Sequence, residues 1–219
     1  MTARDPRDHA TYGLTEAASL LRVPAGTLRR WVRGPGTPLI ALPDPARTVL
    51  SFTNLVEAHV LAALRRVHSV RMTAIRDGVE YLTVQLGHPR PLARADFETD
   101  GVDLFITHLE TLFNVSRQGQ VALRSVVGTH LRRVERDSAG LATRLYPFTR
   151  VATDDAPRVV VIDPRIAFGR PIIAGTGAPT DVVIGRYLAG ESVDALADDY
   201  GCGRDAIEEV LRGALPKAA

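Results

Sequence analysis

The 219-residue chain is 45% hydrophobic and 24% charged, enough for one large or two small domains with their own cores and too apolar for a disordered chain. Its formal charge of +2 hides an asymmetry: residues 1–90 hold twelve arginines against seven acids, whereas residues 157–219 hold seven basic and nine acidic residues. The two ends are therefore expected to prefer different partners. A single cysteine, Cys202, argues against a disulfide framework or a thiolate metal cluster, and no run of roughly 18 apolar residues or apolar leader is present, so a cytoplasmic protein is expected.

Taken in chain order, LTEAASLLRVPAGTLRRWVR places apolar residues at Leu14, Ala17, Ala18 and Leu21, then at Leu28, Trp31 and Val32, which reads as two short helices. Thr15 is placed to cap the first, and Pro24 suits the opening of the second because no backbone donor is needed there. In GPGTPLIALPDPARTVLSF two β-prone runs, Leu39–Leu42 and Thr48–Phe52, flank the turn-forming PDPA and predict a hairpin. A helix follows, with Leu55, Val56, Val60, Leu61, Leu64 and Val67 on one face and Asn54 as its cap, and MTAIRDGVEYLTVQLG repeats the helical pattern.

Between Pro89 and Arg150 the pattern is mixed, with strand-like runs at Leu92–Phe97 and Val102–Ile106, a helix over Gln120–Glu135 and a strand near Leu145–Phe148. Residues 152–157, ATDDAP, read as a linker. Next come a strand in RVVVID, a Gly- and Pro-rich loop with at most one short strand, and three helices, DVVIGRYLAG, SVDALADDYG and RDAIEEVLRGAL. Thr180 and Ser192 are placed as N-caps, and Gly190 and Gly201 sit where C-terminal caps belong.

The expected fold is mainly α with small β elements: a winged helix-turn-helix and an α/β middle over 1–150, a linker over 151–157, and a three-helix, helix-turn-helix-like domain over 158–219. In this reading the helix GTLRRWVR turns Thr27, Arg29, Arg30 and Arg33 outward, where they can reach base edges and phosphates in a DNA major groove. Arg22 in the turn and Arg47 at the hairpin tip would add phosphate or minor-groove contacts. The bland alternative is a helical hairpin with a solvated basic face. The turn, the adjacent hairpin and the local positive charge favour DNA.

These residues, YGLTEAASLLRVPAGTLRRWVR followed by a predicted hairpin and a long helix, resemble the MerR-like winged helix-turn-helix over the first third of the chain. That resemblance implies DNA contact by the second helix, at Thr27, Arg29, Arg30 and Arg33, and by the wing at Arg47. A longer ordered string resembles the small helical domain of many bacterial VapB-type antitoxins. It runs through Asp163, Pro164, Gly169, Arg170, Pro171, Ile172, Gly175, Thr176, Gly190, Ser192 and Leu196. Where that family carries an arginine after Gly-Thr, this chain has Gly177, so the contact of that arginine does not carry over.

This second resemblance implies an antitoxin of a type II (VapBC-like) module that binds operator DNA and blocks a PIN-domain ribonuclease. Arg165 and Arg170 are the candidates for pairing with the nuclease carboxylates. The last helix is expected to expose Asp205, Glu208 and Glu209 and to suit a protein partner better than phosphate. A two-fold operator calls for a homodimer.

No membrane, cofactor, metal or catalytic site is expected. The six histidines, His9, His59, His68, His88, His108 and His130, show no ligand spacing, and GRPIIAGTGAP lacks the ending of a phosphate loop. The pairs Asp154/Asp155 and Asp198/Asp199 are adjacent in sequence and diverge by about 100° on a helix, and no nucleophile elbow occurs. The alternative reading is a stand-alone MerR-like regulator whose C-terminal domain senses a ligand or mediates assembly.

Overall fold

A computed structural model describes residues 5–66, 70–150 and 156–214, and among them the chain is mainly helical with three two-stranded sheets. It divides into two units, Met1–Thr143 and Arg144–Ala219. The predicted linker falls mostly on 151–155, which lie outside the described residues, as does Val67 of the predicted helical face.

In the first unit, β1 (Tyr12–Gly13) leads into α1 (Leu14–Leu21) and α2 (Ala25–Arg33). Gly13, and not Thr15, is the N-cap of α1, and its N–H donates to Glu16 Oε2 (3.3 Å). The predicted hairpin is absent. Pro38 and Pro43 bracket Leu39–Leu42 and remove ladder donors at both ends. That segment turns its N–H groups onto the end of α2 instead: Leu39 and Ile40 both donate to Trp31 O, at 2.9 and 3.2 Å. The second half of the expected hairpin becomes β2 (Val49–Leu50), which pairs antiparallel with β1 in the register Tyr12 to Leu50 and Gly13 to Val49.

Helix α3 (Phe52–Arg66) runs through the middle of this unit and buries twelve of its fifteen residues. Its cap is Ser51: Ser51 Oγ accepts from Asn54 N and Asn54 Oδ1 accepts from Ser51 N, both at 3.2 Å. Asn54, the predicted cap, lies inside the helix and also donates through Nδ2 to Ala41 O (3.0 Å) and Glu57 Oε2 (2.9 Å). At mid-helix the buried His59 Nε2–H donates to His130 O (3.1 Å), and burial holds this ring neutral by pushing its pKa well down.

Helix α4 (Met72–Gln85) packs against α5 (Val102–Phe113) at a close approach that only glycine permits, since a Cβ on Gly78 would meet the Phe105 ring at 2.4 Å. The two strands expected between residues 92 and 106 are not formed. Pro91–Ala93 is a 3-10 turn, Phe97–Gly101 a π turn, and Val102–Ile106 opens α5, because the apolar period continues at 3.6 residues to the buried Leu109. The expected α/β middle is thus chiefly helical. Helix α6 (Arg117–Leu131) follows, capped by Ser116, whose Oγ accepts from Gly119 N (3.2 Å). Then come β3 (Val134–Arg136) and β4 (Ala142–Leu145), the latter three residues earlier than the strand expected at Leu145–Phe148.

The second unit begins where Leu145 and Ile162 exchange backbone hydrogen bonds of 3.0 and 2.8 Å. Strands β5 (Val160–Val161) and β6 (Ile172–Ile173) pair antiparallel and are followed by α7 (Thr180–Leu188), α8 (Val193–Tyr200) and α9 (Arg204–Ala214). Val160, Ile173, Val183, Leu196, Ile207 and Val210 form their shared core. Ser192 caps α8 by accepting from Ala195 N (3.1 Å), and Gly201 ends it at φ +61°. Pro179 takes the N-cap position of α7, with Thr180 as the first helical residue.

Burial pushes the Glu57 carboxyl up to about 7 against the opposing bond from Asn54 and the charge of Arg90, with Asp8 adding to the rise. A carboxyl raised on folding is uncharged in both states at low pH, so its contribution is intact below the ordinary 4.5 and is lost as pH rises through about 7. Glu57→Gln is therefore expected to raise the thermal midpoint at pH 8 by a few degrees and to leave it unchanged at pH 4, as followed by calorimetry. An unaltered pH profile would contradict this account.

Candidate functional site

Helices α1 and α2 are joined by Arg22–Pro24. Arg22 takes the left-handed conformation (φ +52°) and caps α1 through its N–H, while Val23 N donates back to Ala18 O (3.0 Å). The apolar stripes of the two helices, Leu14, Ala17, Ala18 and Leu21 against Leu28, Trp31 and Val32, are buried as the periodicity requires. Arg29, Arg30 and Arg33 consequently lie on the exposed face of α2, and none pairs with a carboxylate among the described residues. Arg47 is also exposed, in a coil segment turned by Asp44, whose Oδ1 accepts from Ala46 N.

Thr27 departs from expectation. It is only 3% exposed, and its hydroxyl accepts a hydrogen bond from Arg65 Nη1 (3.0 Å). One residue from Leu28 and four from Trp31, it belongs to the inward stripe, so it positions α2 on α3 and is unavailable to a nucleic acid. Cavities open on either side of this contact. One, of about 470 Å³, carries Arg30, Arg65 and Arg76; the other, of about 280 Å³, carries Arg22, Arg65 and Arg66. Arg65, Arg66 and Arg76 escaped the sequence reading because they belong to the long helices behind the motif. Their only signal was the Arg-Arg pair at the carboxyl end of α3, where cations also suit the helix dipole.

In the second unit the side chains of Arg165 and Arg170 are engaged internally. Asp163, 1% exposed, accepts from the Arg165 backbone (2.9 Å), from Arg165 Nε and Nη2 (both 3.0 Å) and from Arg144 Nε (3.2 Å). Burial alone would raise this carboxyl, but these bonds hold it below its ordinary range. Arg170 pairs with Asp181 at the start of α7. Between the two arginines, Ala167 (φ +48°), Phe168 (φ +56°) and Gly169 (φ +79°) all occupy the left-handed region. For the two non-glycine residues this costs roughly 1–2 kcal/mol each, and it leaves the Phe168 side chain 92% exposed.

The surface of α9 is less acidic than its sequence suggests. Asp205 is exposed, but Glu209 is 2% exposed and accepts from Thr149 Oγ1, from Arg150 Nε (3.0 Å) and Nη2 (2.6 Å) and from Arg212 Nη1 (2.5 Å). The helical period places Glu209 between Ile207 and Val210 on the buried side, and the chain supplies two guanidinium groups to make that burial tolerable.

A protein named "Putative antitoxin VapB45" from Mycobacterium tuberculosis (strain ATCC 25618 / H37Rv) is 32% identical over 232 residues, covering 93% of each chain. The chain belongs to the VapB45 family. "Uncharacterized protein Rv2308" from the same strain is 24% identical over 96% of this chain and 92% of its own. The X-ray crystal structure of Rv2018 from Mycobacterium tuberculosis matches with a TM-score of 0.75 at 30% identity, covering 94% of this chain and 99% of that one. The family model "Protein of unknown function (DUF433)" matches residues 160–212.

That last span contains the whole ordered string read in the sequence, and the geometry accounts for many of its members as architecture. Asp163 anchors the turn after β5, and Gly169, Gly175 and Gly190 have positive φ. Thr176 Oγ1 donates to Ile173 O (3.1 Å) and accepts from Ala178 N (3.0 Å), Ser192 caps α8, and Leu196 is wholly buried. Gly177 is itself at φ +74°, a conformation any side chain would strain.

Burial would raise Glu209, but Arg150, Thr149 and Arg212 override it and bring the carboxyl down to about 2. A depressed acid stabilises the fold above its ordinary 4.5, and that stabilisation is lost as pH falls toward 2. Thermal unfolding followed by the amide resonances of α9 is expected to show this acid loss. Glu209→Gln is expected to lower the midpoint at pH 7 and to flatten the profile between pH 4.5 and 2.

Proposed function

We propose that this chain is the antitoxin of a type II toxin-antitoxin module, binding operator DNA through α1, its turn and α2, and neutralising a PIN-domain ribonuclease through its C-terminal unit. The observation that carries the DNA reading is the outward set Arg29, Arg30 and Arg33, held on a rigid helix with no carboxylate partner among the described residues. Arg22, Arg47, Arg65, Arg66 and Arg76 extend that face toward the phosphates, where positive charge supplies sequence-independent affinity. With no paired wing, Arg47 acts from a coil loop. A two-fold operator places two recognition helices about 34 Å apart and makes a homodimer the binding form.

The toxin reading is supported by the name of the 32% identical relative. PIN-domain nucleases bind divalent metal through clustered carboxylates, and an arginine inserted there competes with the metal for them. Arg170 suits this better than Arg165. Its partner Asp181 is exposed and rehydrates readily, whereas releasing Arg165 would strip a buried Asp163 of hydrogen bonds. The chain itself performs no catalysis in this scheme.

A stand-alone regulator is the second reading, and one observation favours ligand sensing, though in the first unit and not in the C-terminal domain where the sequence placed it. A cavity of about 470 Å³ in the first unit combines Arg7, Asp8, Arg90 and Arg94 with the apolar Ala93 and Leu141, a setting for a small amphipathic ligand. Coexpression with the adjacent gene product, followed by copurification and an RNase assay, separates the two. Stable association with loss of RNase activity is expected, and failure to associate would sink the antitoxin reading. For DNA, the double variant Arg29→Ala/Arg30→Ala is expected to weaken operator binding and to reduce the slope of log K against log salt by about 2, without unfolding the protein. An unchanged slope would remove α2 from the interface.

A further inference from the structure

Exposed hydrophobic side chains are ordinary at a protein surface, but a fully exposed phenylalanine on a turn of left-handed residues is not. Hydrogen bonds close the turn. Ile166 N donates to Asp163 O (3.0 Å), Gly169 N to Ile166 O (2.9 Å) and Arg170 N to Ala167 O (3.1 Å), and the Asp163 carboxylate is fixed by Arg165 and Arg144. The scaffold therefore imposes an unfavourable backbone at Ala167 and Phe168, and the outcome is an aromatic ring held in solvent. A random coil would not hold it out in this way, and a stability-driven sequence would place glycine there.

We infer that Phe168 is the anchor by which the C-terminal unit docks on its toxin, inserting into an apolar socket rimmed by carboxylates. This rests on the antitoxin reading above and adds an apolar anchor to the Arg170 contact named there. Large aromatic side chains are the usual centres of binding energy in protein interfaces, and a pre-formed turn loses little conformational freedom on docking. Ile166, two residues before it, is also partly exposed and adds apolar surface.

The charge around the ring points to the rim of the socket. Arg165 and Arg170 flank it with side chains 59% and 46% exposed, the first paired with the buried Asp163, which Arg144 also reaches, and the second with the exposed Asp181. The helices beyond present Asp194, Asp198, Asp199 and Asp205 to solvent. Three arginines (Arg144, Arg165, Arg170) against two carboxylates (Asp163, Asp181) leave the aromatic-tipped turn with a small positive excess on an otherwise acidic unit, which complements an acidic concave site on a protein, whereas the acids around it repel a phosphate backbone.

The test uses the full chain and the purified product of the adjacent gene, with affinity measured by calorimetry for the wild type, Phe168→Ala and Phe168→Gly. Because the ring touches so little, both variants are expected to fold, and Phe168→Gly is expected to melt at the same temperature or higher by relieving the positive φ. Toxin affinity is expected to fall at least 30-fold in both, with operator binding unchanged. Wild-type binding that both variants retain within threefold would overturn the anchor while leaving the antitoxin reading standing. Absence of wild-type binding would overturn both. Loss of operator binding with toxin binding intact would overturn the anchor and reassign Phe168 to DNA.

Discussion

Helix α3 carries Asn54, Glu57 and His59 into a core from which water is excluded, and each of these polar groups must find its partner inside the protein. Much of the first unit is arranged around that requirement. Asn54 reaches Ala41 and pins the proline-rich segment after α2, Ser51 closes the helix start, and His59 takes the carbonyl of His130 and so locks α6 against α3. At the exposed end of the same helix Arg65 holds Thr27, which sets α2 in place. The orientation of the basic face therefore depends on a largely buried helix, which adds only its last-turn arginines, Arg65 and Arg66, to that face.

The second unit meets the same difficulty differently. Its buried acids, Asp163 and Glu209, remain charged because arginines reach them: Arg144 and Arg165 for one, Arg150 and, from the same helix, Arg212 for the other. Buried pairs of this kind add little net stability against a well-packed apolar alternative, but losing one partner leaves a stranded charge. They make geometry specific. Here they fix the strand that opens the unit and the turn that presents Phe168, so the charges act as positioning devices for a surface that is itself strained and apolar.

Function and architecture are thus distributed unevenly over the ordered string of the second unit, from Asp163 to Leu196. Several of its residues have structural duties: glycines at positive φ, Thr176 in a turn, Ser192 as a cap and Leu196 in the core. The side chains free to meet a partner lie between those members. Phe168 precedes one of the glycines and drew no attention in the sequence, because nothing in composition or period marks a single phenylalanine as exposed.

Local chemistry made much of the fold legible. The apolar stripes of α1, α2 and the three last helices, the cap at Ser192 and the outward arginines of α2 follow from 3.6-residue periodicity, a property a short stretch of sequence carries by itself. The proline pairs could have warned against the hairpin at Leu39–Leu42. What the sequence left undecided depends on distant neighbours: whether a β-prone segment finds a strand to pair with, whether Val102–Ile106 begins a helix or forms a strand, and which side chains of a helix flank are covered. Thr27 and Glu209 lie at the edges of apolar stripes, where a single turn of sequence cannot say whether another element will close over them. Arg65 and Arg150 decided the matter from 38 and 59 residues away. The sequence alone thus determined that a basic helical segment precedes an acidic helical one. Tertiary packing alone decided which of their polar groups are buried and paired, because desolvation is set by the whole surrounding shell and not by the residue's own neighbours in the chain.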